Sequence, residues 1–122
     1  MREIMFRGKL KSNSGWVYGY VDAALYKDLV VIHTDISTHE VIPETVGQFT
    51  GLKDKNGLEV YEGDILAIKD FNENIKAKGI CTYSNGCFWL QDDEQIMLLY
   101  RELDFGEMQV IGNVHDNPEL LT

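Results

Sequence analysis

Residues 51–70 read GLKDKNGLEVYEGDILAIKD, and they decide the fold because tight turns alternate with a buried-type strand. Asp54-Lys55-Asn56-Gly57 predicts the first turn and Gly63-Asp64 the second, since Gly, Asn and Asp suit turn conformations. The second turn leads directly into the apolar run Ile65–Ile68, which is typical of a buried strand. We expect Asp64 to cap this turn and the neighbouring glutamates, Glu59 and Glu62, to be solvated.

A tight hairpin is predicted further along the chain, where residues 81–90 read CTYSNGCFWL. Asn85-Gly86 suits a two-residue type I′ turn, because both of its central residues need a positive φ. The turn sets the register: Ser84 opposite Cys87, Tyr83 opposite Phe88, and Cys81 opposite Leu90. Side chains alternate between faces, so the two cysteines lie on opposite faces and a disulfide between them is disfavoured. We expect reduced thiols in a cytoplasmic protein.

Short runs of β-branched and aromatic residues, separated by turn signals, predict a mainly β chain. The runs are Trp16–Val21, Leu29–Thr34, Asp64–Ile68, Gly79–Ser84, Cys87–Leu90 and Met108–Val114, with further turn signals at Asn13-Ser14-Gly15 and Phe105-Gly106. Residues 94–103 fit a short helix or another strand, and Asn117-Pro118-Glu119 predicts a single helical turn.

We expect one domain of 122 residues, with an N-terminal β portion over 1–57 and a barrel-like portion over 58–122. The order of turn, strand, variable loop and hairpin favours a small SH3-like barrel over about residues 58–114. No apolar run approaches the ~20 residues of a membrane span, and the N-terminus lacks the apolar core of a signal peptide, so no membrane association is expected.

The charge of the chain is acidic and unevenly distributed. Twenty Asp and Glu against eleven Lys and Arg give −9. Residues 1–11 hold four cations against one acid, a local +3, whereas residues 92–122 hold eight acids against one arginine, a local −7. Because proteins bind nucleic acids largely by neutralising phosphates, the net charge makes direct nucleic-acid binding unfavourable. The simplest interpretation is that the acidic charge keeps the protein soluble. The alternative is that the charge complements a neighbouring subunit or a basic partner.

The sequence carries no motif that assigns a reaction. It has no P-loop, GxGxxG fingerprint or GxSxG nucleophile elbow. His33, Asp35 and His39 share parity on an extended chain, and they are a weak alternative as metal ligands because their spacing matches no established zinc pattern. We therefore expect a non-enzymatic protein, and we assign it no catalytic residue, cofactor or metal.

The chain resembles the YopX family, small proteins of bacteriophages and prophages. The resemblance is carried by Arg2–Gly8, Val46–Gly57, Val60–Ile65, Tyr83, Gly86–Leu90 and Val110–Leu121. It implies a mainly β protein with a barrel-like half and an additional N-terminal portion, and it brings no established activity, substrate or cofactor. Within its motifs, Gly51, Gly57, Gly63 and Gly112 are expected to permit turns or close backbone approach. Phe49, Tyr61 and Trp89 are expected to supply core volume.

These observations lead to a hypothesis of function and its alternatives. We expect an accessory protein of a phage or prophage, acting in the cytoplasm of the bacterial host through protein–protein contacts, including self-assembly through oppositely charged ends. The alternative is a nucleic-acid-linked regulator, which would either bind directly or act as an acidic decoy of a basic host protein. Direct binding would use Arg2, Arg7, Lys9 and Lys11, and the decoy would use Asp92, Asp93, Glu94, Glu102 and Asp104.

Overall fold

The computed structural model describes residues 5–12, 15–22, 29–94, 96–99 and 106–121. The chain divides into two compact units, Met1–Phe49 and Thr50–Thr122, whereas the boundary predicted from the sequence lies between residues 57 and 58. No helix among the described residues is long and apolar enough to cross a membrane.

The first unit is an antiparallel sheet with the strand order β4-β3-β2-β1-β5. Its strands are β1 (Phe6–Lys9), β2 (Trp16–Asp22), β3 (Val31–His33), β4 (Thr38–Glu40) and the beginning of β5 (Gly47–Lys53), with a short 3₁₀ turn at Pro43–Thr45. Strands β2 and β3 confirm two of the predicted runs. The other strands of this unit were not predicted individually.

One face of this sheet is the core of the first unit. Ile32 of β3 and Val41 are fully buried. Gly8 of β1 lies against them so closely that a Cβ atom there would come within 3.0 Å of Val41 and 3.1 Å of Ile32. The glycine therefore lets two β-branched side chains pack directly on the backbone of β1.

The second unit contains a five-stranded antiparallel sheet with the strand order β10-β9-β8-β7-β11. Its strands are β7 (Asp64–Lys69), β8 (Ile75–Ser84), β9 (Cys87–Gln91), β10 (Ile96–Leu98) and β11 (Glu107–Asn113). The end of β5 also belongs to this unit, where its neighbour is β6 (Glu59–Tyr61). The mainly β fold class is confirmed, and the SH3-like barrel stays a prediction.

The ambiguous segment 94–103 contributes the strand β10 at residues 96–98, while residues 100–103 lie outside the described part of the chain. The helical turn predicted at Asn117-Pro118-Glu119 is present as a 3₁₀ turn, Pro118–Leu121. Of the turn signals at the two ends, Asn13, Ser14 and Phe105 lie outside the described residues.

The predicted hairpin register is confirmed in full. Ser84 lies opposite Cys87, Tyr83 opposite Phe88, and Cys81 opposite Leu90. Asn85 and Gly86 have φ values of +53° and +78°, as a type I′ turn requires. Both cysteines are thiols, as expected from their positions on opposite faces.

The core of the second unit lies on the Cys81 face of this hairpin. Its buried cluster consists of Val60, Leu66, Ile68, Cys81, Phe88, Leu90, Leu99 and Met108. Phe49 and Tyr61 are buried, as predicted. Trp89 is not: it is half-buried and shares the opposite face with Cys87, so its assignment to the core was wrong.

The turn before β7 has the capping interaction that the sequence predicted. The Asp64 carboxylate is buried and accepts a hydrogen bond from the Tyr61 amide at 2.8 Å. Gly63 has φ +94°, its amide donates to the Cys81 carbonyl, and its own carbonyl accepts from the Val114 amide. A glycine is required here because other residues adopt this φ only with strain.

Two further turns of the second unit are built alike, each around an aspartate. Through Oδ1, Asp54 and Asp70 each accept hydrogen bonds from the backbone amides two and four residues later, at 2.8–2.9 Å. The fourth residue of each turn has a positive φ, +86° at Gly57 and +65° at Glu73. Of the two aspartates, only Asp54 has a long-range bond within the described part of the chain, since its Oδ2 accepts from the Val110 amide of β11 at 3.0 Å. Asp54 thereby ties the first turn to a distant strand.

Candidate functional site

The hairpin face, which we define as the side of β8, β9 and β10 opposite the core, contains a concavity of about 480 Å³. The strand register places its side chains, because Trp89 lies opposite Thr82 and Gln91 lies opposite Ile96. The Trp89 indole N–H donates to the Ser84 carbonyl at 2.9 Å, which fixes the ring over the hairpin. The described residues lining the concavity are Thr82, Tyr83, Ser84, Asn85, Trp89, Gln91 and Ile96.

The lining of the concavity is apolar and neutral-polar. Trp89 and Ile96 supply the apolar surface, and Ile96 is 59% exposed. None of the seven described lining residues carries a carboxylate, an imidazole or an amine. Protein interfaces have this character at their centres, where aromatic residues are enriched and charged residues are depleted.

An acidic loop adjoins the hairpin face. Asp92, Asp93 and Glu94 follow directly after Gln91, the last residue of β9. The Glu94 amide donates to Asp92 Oδ1 at 2.8 Å, so the loop has a defined backbone conformation. The other two acids of the proposed decoy set, Glu102 and Asp104, lie outside the described residues.

The other end of β8 presents an aromatic side chain on a short turn. Phe71 is 96% exposed and lies between Asp70 and Asn72 in the loop that joins β7 to β8. The hydrogen bond from the Asn74 amide is the main cause that lowers the pKa of Asp70, and the Asn72 amide acts in the same direction. The carboxylate that fixes this turn is therefore ionised at neutral pH.

Glu73 connects the same turn to neighbouring lysines. Its carboxylate oxygens each lie 2.9 Å from Lys55 Nζ, and Lys69 Nζ lies 3.7 Å away. The hydrogen bond from Lys55, followed by its positive charge, lowers the pKa of Glu73. Lys55 belongs to the Asp54 turn, so this ion pair joins the two similar turns at one end of the second unit.

The first unit carries a separate aromatic face on the side of its sheet away from Ile32. Trp16, Tyr18 and Tyr20 alternate along β2, and Tyr18 and Tyr20 are exposed. The register places Arg7 opposite Tyr18 and Lys9 opposite Trp16. The Arg7 guanidinium lies 4.6 Å from the centroid of the Trp16 ring and Lys9 Nζ lies 5.9 Å from it, both within the range of a cation–π contact.

The weak metal hypothesis gains no geometric support. His33 lies opposite Thr38, whereas His39 lies opposite Ile32, so the two histidines occupy opposite faces of β3 and β4. His33 Nδ1 is 2.9 Å from the Thr38 hydroxyl, and His39 Nε2 is 2.8 Å from the Ser37 hydroxyl. Among the described residues, no three His, Cys, Asp or Glu side chains come together as metal ligands.

Two residues that give these surfaces their character, Phe71 and Ile96, were not predicted from the sequence. Phe71 lies within a polar segment, Asp70–Asn74, whose composition predicts a loop. A large aromatic side chain inside such a segment is the signal that could have identified an exposed anchor. No comparable signal exists for Ile96, because its segment fits a helix as well as a strand.

The comparisons with known proteins agree with this fold. No curated protein matches the chain. The chain is similar to a solved structure, the crystal structure of protein EF1440 from Enterococcus faecalis, with 24% sequence identity, a TM-score of 0.65 and 100% of both chains covered. At this identity the similarity shows the fold alone. Residues 5–122 match the family model described as YopX protein. Because this match covers nearly the whole sequence, the chain belongs to the YopX family.

Proposed function

We propose that this chain is a non-enzymatic accessory protein of a phage or prophage, which acts in the host cytoplasm through protein–protein contacts, including contacts with further copies of itself. The concavity on the hairpin face carries this proposal. Its lining offers an indole, an exposed isoleucine and neutral hydrogen-bonding groups, which is the chemistry of an interface centre. The proposal includes no cofactor.

The energetics of such a face favour binding to another protein. Interface affinity is concentrated in a few residues, with tryptophan prominent among them, and truncating such a residue costs about 2 kcal/mol or more. The Trp89 ring is already held by its bond to the Ser84 carbonyl, so little side-chain freedom remains to be lost on association. None of the described lining residues carries a charge that has to be dehydrated, which removes the largest cost of burying a surface.

We predict that Ile96→Arg weakens self-association at least tenfold, because the new side chain fills the concavity and places a charge in its apolar part. The measurement is the molar mass by light scattering from micromolar to millimolar protein. Ile36→Arg is the matched control, since Ile36 is 95% exposed in the first unit and is expected to leave the association unchanged. Equal association of the two variants would remove the hairpin face from the proposal.

The aromatic face of the first unit favours a second candidate, direct binding of single-stranded nucleic acid. Alternating aromatic side chains beside cations are the elements that stack on bases and contact phosphates. Three aromatic residues alternate on β2, and the half-buried Lys9 lies next to them on β1. Arg7, which was predicted to contact nucleic acid, is instead buried against Trp16 and does not present its charge to a phosphate. The net charge of −9 opposes this candidate, so it ranks second. Arg2, the remaining arginine of the predicted basic set, lies outside the described residues.

For this candidate we expect Tyr20→Ala and Lys9→Glu each to weaken binding of a fluorescent single-stranded oligonucleotide at least fivefold. Both side chains belong to the aromatic face, and Tyr20 is exposed, so its truncation leaves the core intact. Fluorescence anisotropy at several salt concentrations is the measurement. Only Lys9→Glu should reduce the salt dependence, because it alone removes a cation. Unchanged affinity in both variants would exclude this mode of binding.

A further inference from the structure

The second unit has an exposed aromatic side chain at one end of its longest strand and an apolar concavity at the other. We propose that Phe71 of one copy inserts into the concavity on the hairpin face of a second copy, so that copies join head to tail. This inference rests on the self-contacts of the proposed function and names the residues that make them.

Phe71 has the properties of an anchor for a partner. Its side chain is 96% exposed, although the turn beneath it is closely held. Asp70 accepts bonds from the amides of Asn72 and Asn74, and Lys76 Nζ lies 3.5 Å from its Oδ2. An aromatic side chain on an ordered turn loses little conformational freedom when it binds, so most of its buried apolar surface contributes to affinity.

The concavity offers what a phenyl ring needs. Its volume of about 480 Å³ exceeds that of a single aromatic side chain. Trp89 provides an aromatic ring for an edge-to-face or offset contact, and Ile96 provides an aliphatic wall. Hydroxyl and amide groups around them can bond to the backbone of the incoming turn.

The two features cannot meet within one chain. Phe71 precedes the first residue of β8, Ile75, whereas the concavity is lined by residues around its last residue, Ser84. At about 3.3 Å per residue, β8 runs roughly 30 Å from Ile75 to Ser84 and roughly 17 Å from Ile75 to Ile80, which lies opposite the lining residue Gln91. Phe71 is therefore beyond reach of the concavity of its own chain, and a second copy supplies the matching surface.

Charge complementarity also favours a second copy. Around the two similar turns, segments 53–55 and 69–78 hold five lysines against three acids, a local +2. The acidic loop Asp92–Glu94, which adjoins the concavity, carries −3. Insertion of Phe71 brings the lysine-rich end of one copy towards the acidic loop of the next, and this attraction offsets part of the repulsion between two chains of −9.

Such a contact is heterologous, because different surfaces of the two copies meet. An open assembly of any length keeps an unused Phe71 at one end and an unused concavity at the other until it closes, so the products are rings or open filaments rather than dimers with a two-fold interface. Association therefore continues beyond two copies as the protein concentration rises.

The test mixes two variants that each lose one half of the contact. Phe71→Ser keeps the concavity and Ile96→Arg keeps Phe71. We expect each variant alone to be monomeric and their equimolar mixture to form dimers that grow no further, because only one intact junction exists per pair. Ile36→Ser, which truncates an equally exposed side chain, is the control and should assemble as the wild type does. Sedimentation velocity resolves these species.

The possible outcomes distinguish the Phe71 contact from the self-association that the proposed function includes. A wild type that assembles while Phe71→Ser assembles equally well overturns the Phe71 contact and leaves self-association standing. A mixture that remains monomeric also overturns it, since complementation is the property of a two-surface junction. A wild type that is monomeric at every concentration contradicts the proposed self-contacts, and the inference with them.

Discussion

Replacing Asp54 with alanine is expected to lower the free energy of unfolding by about 3 kcal/mol. The Asp54 carboxylate is buried and accepts three backbone hydrogen bonds, from the amides of Asn56, Leu58 and Val110. Alanine leaves these donors without their acceptor, and the Val110 amide lies where the register of β11 shifts between Val110 and Gly112. Urea unfolding followed by fluorescence measures the loss.

Asp70→Ala is the matched control for this prediction. Asp70 organises a turn of the same pattern but makes no bond equivalent to that between Asp54 and Val110 among the described residues. Its replacement should therefore destabilise the protein clearly less. Equal losses in the two variants would show that the turn itself, and not its bond to β11, is what Asp54 stabilises.

Gly79→Ala is expected to cost a similar amount, about 3 kcal/mol, for a different reason. Gly79 is buried in β8, and a Cβ atom there would lie 2.5 Å from the carbonyl oxygen of Gln91 in the neighbouring strand. The obstacle is backbone rather than a flexible side chain, so β8 and β9 have to move apart. Thermal and urea unfolding both report this loss.

Gly86→Ala is the control that separates collision from backbone strain. Gly86 has φ +78°, and a Cβ atom there would meet nothing within 4 Å. Its replacement should cost only the strain of a left-handed conformation, about 1 kcal/mol. If Gly86→Ala were the more damaging of the two, the close approach of β8 and β9 at Gly79 would not limit stability.

Local chemistry explains which parts of the fold could be predicted from the sequence. The hairpin register followed from Asn85-Gly86, because a type I′ turn leaves one pairing for the residues on either side. The turn at Gly63 was predictable for the same kind of reason, a glycine next to a capping aspartate. These features depend on residues that are neighbours in the chain.

The features that could not be predicted depend on contacts between distant segments. The hydrogen bond from the Val110 amide to Asp54 joins residues 56 positions apart, and no local sequence pattern predicts it. Strand β10 has only three residues, so its apolar pattern did not distinguish a strand from a helix. Trp89 was assigned to the core by its size, although its parity with Cys87 already placed it on the other face.

The candidate site was missed for a related reason. A concavity formed by β8, β9 and β10 exists only once three strands are paired, and its apolar wall comes from the ambiguous segment. The exposure of Phe71 likewise depends on how its turn projects from the sheet. Sequence could supply the residue types, while the pairing of strands decided which of them reach solvent together.

We propose that this chain works through contacts between proteins, including its own copies. The most direct test of this proposal is the molar mass of the wild-type protein as a function of concentration. We expect a mass that rises from that of a single chain to several chains between micromolar and millimolar protein, and that changes with salt concentration because the charges of the chains are screened. The mass of a single chain at every concentration, unaffected by salt, would contradict it.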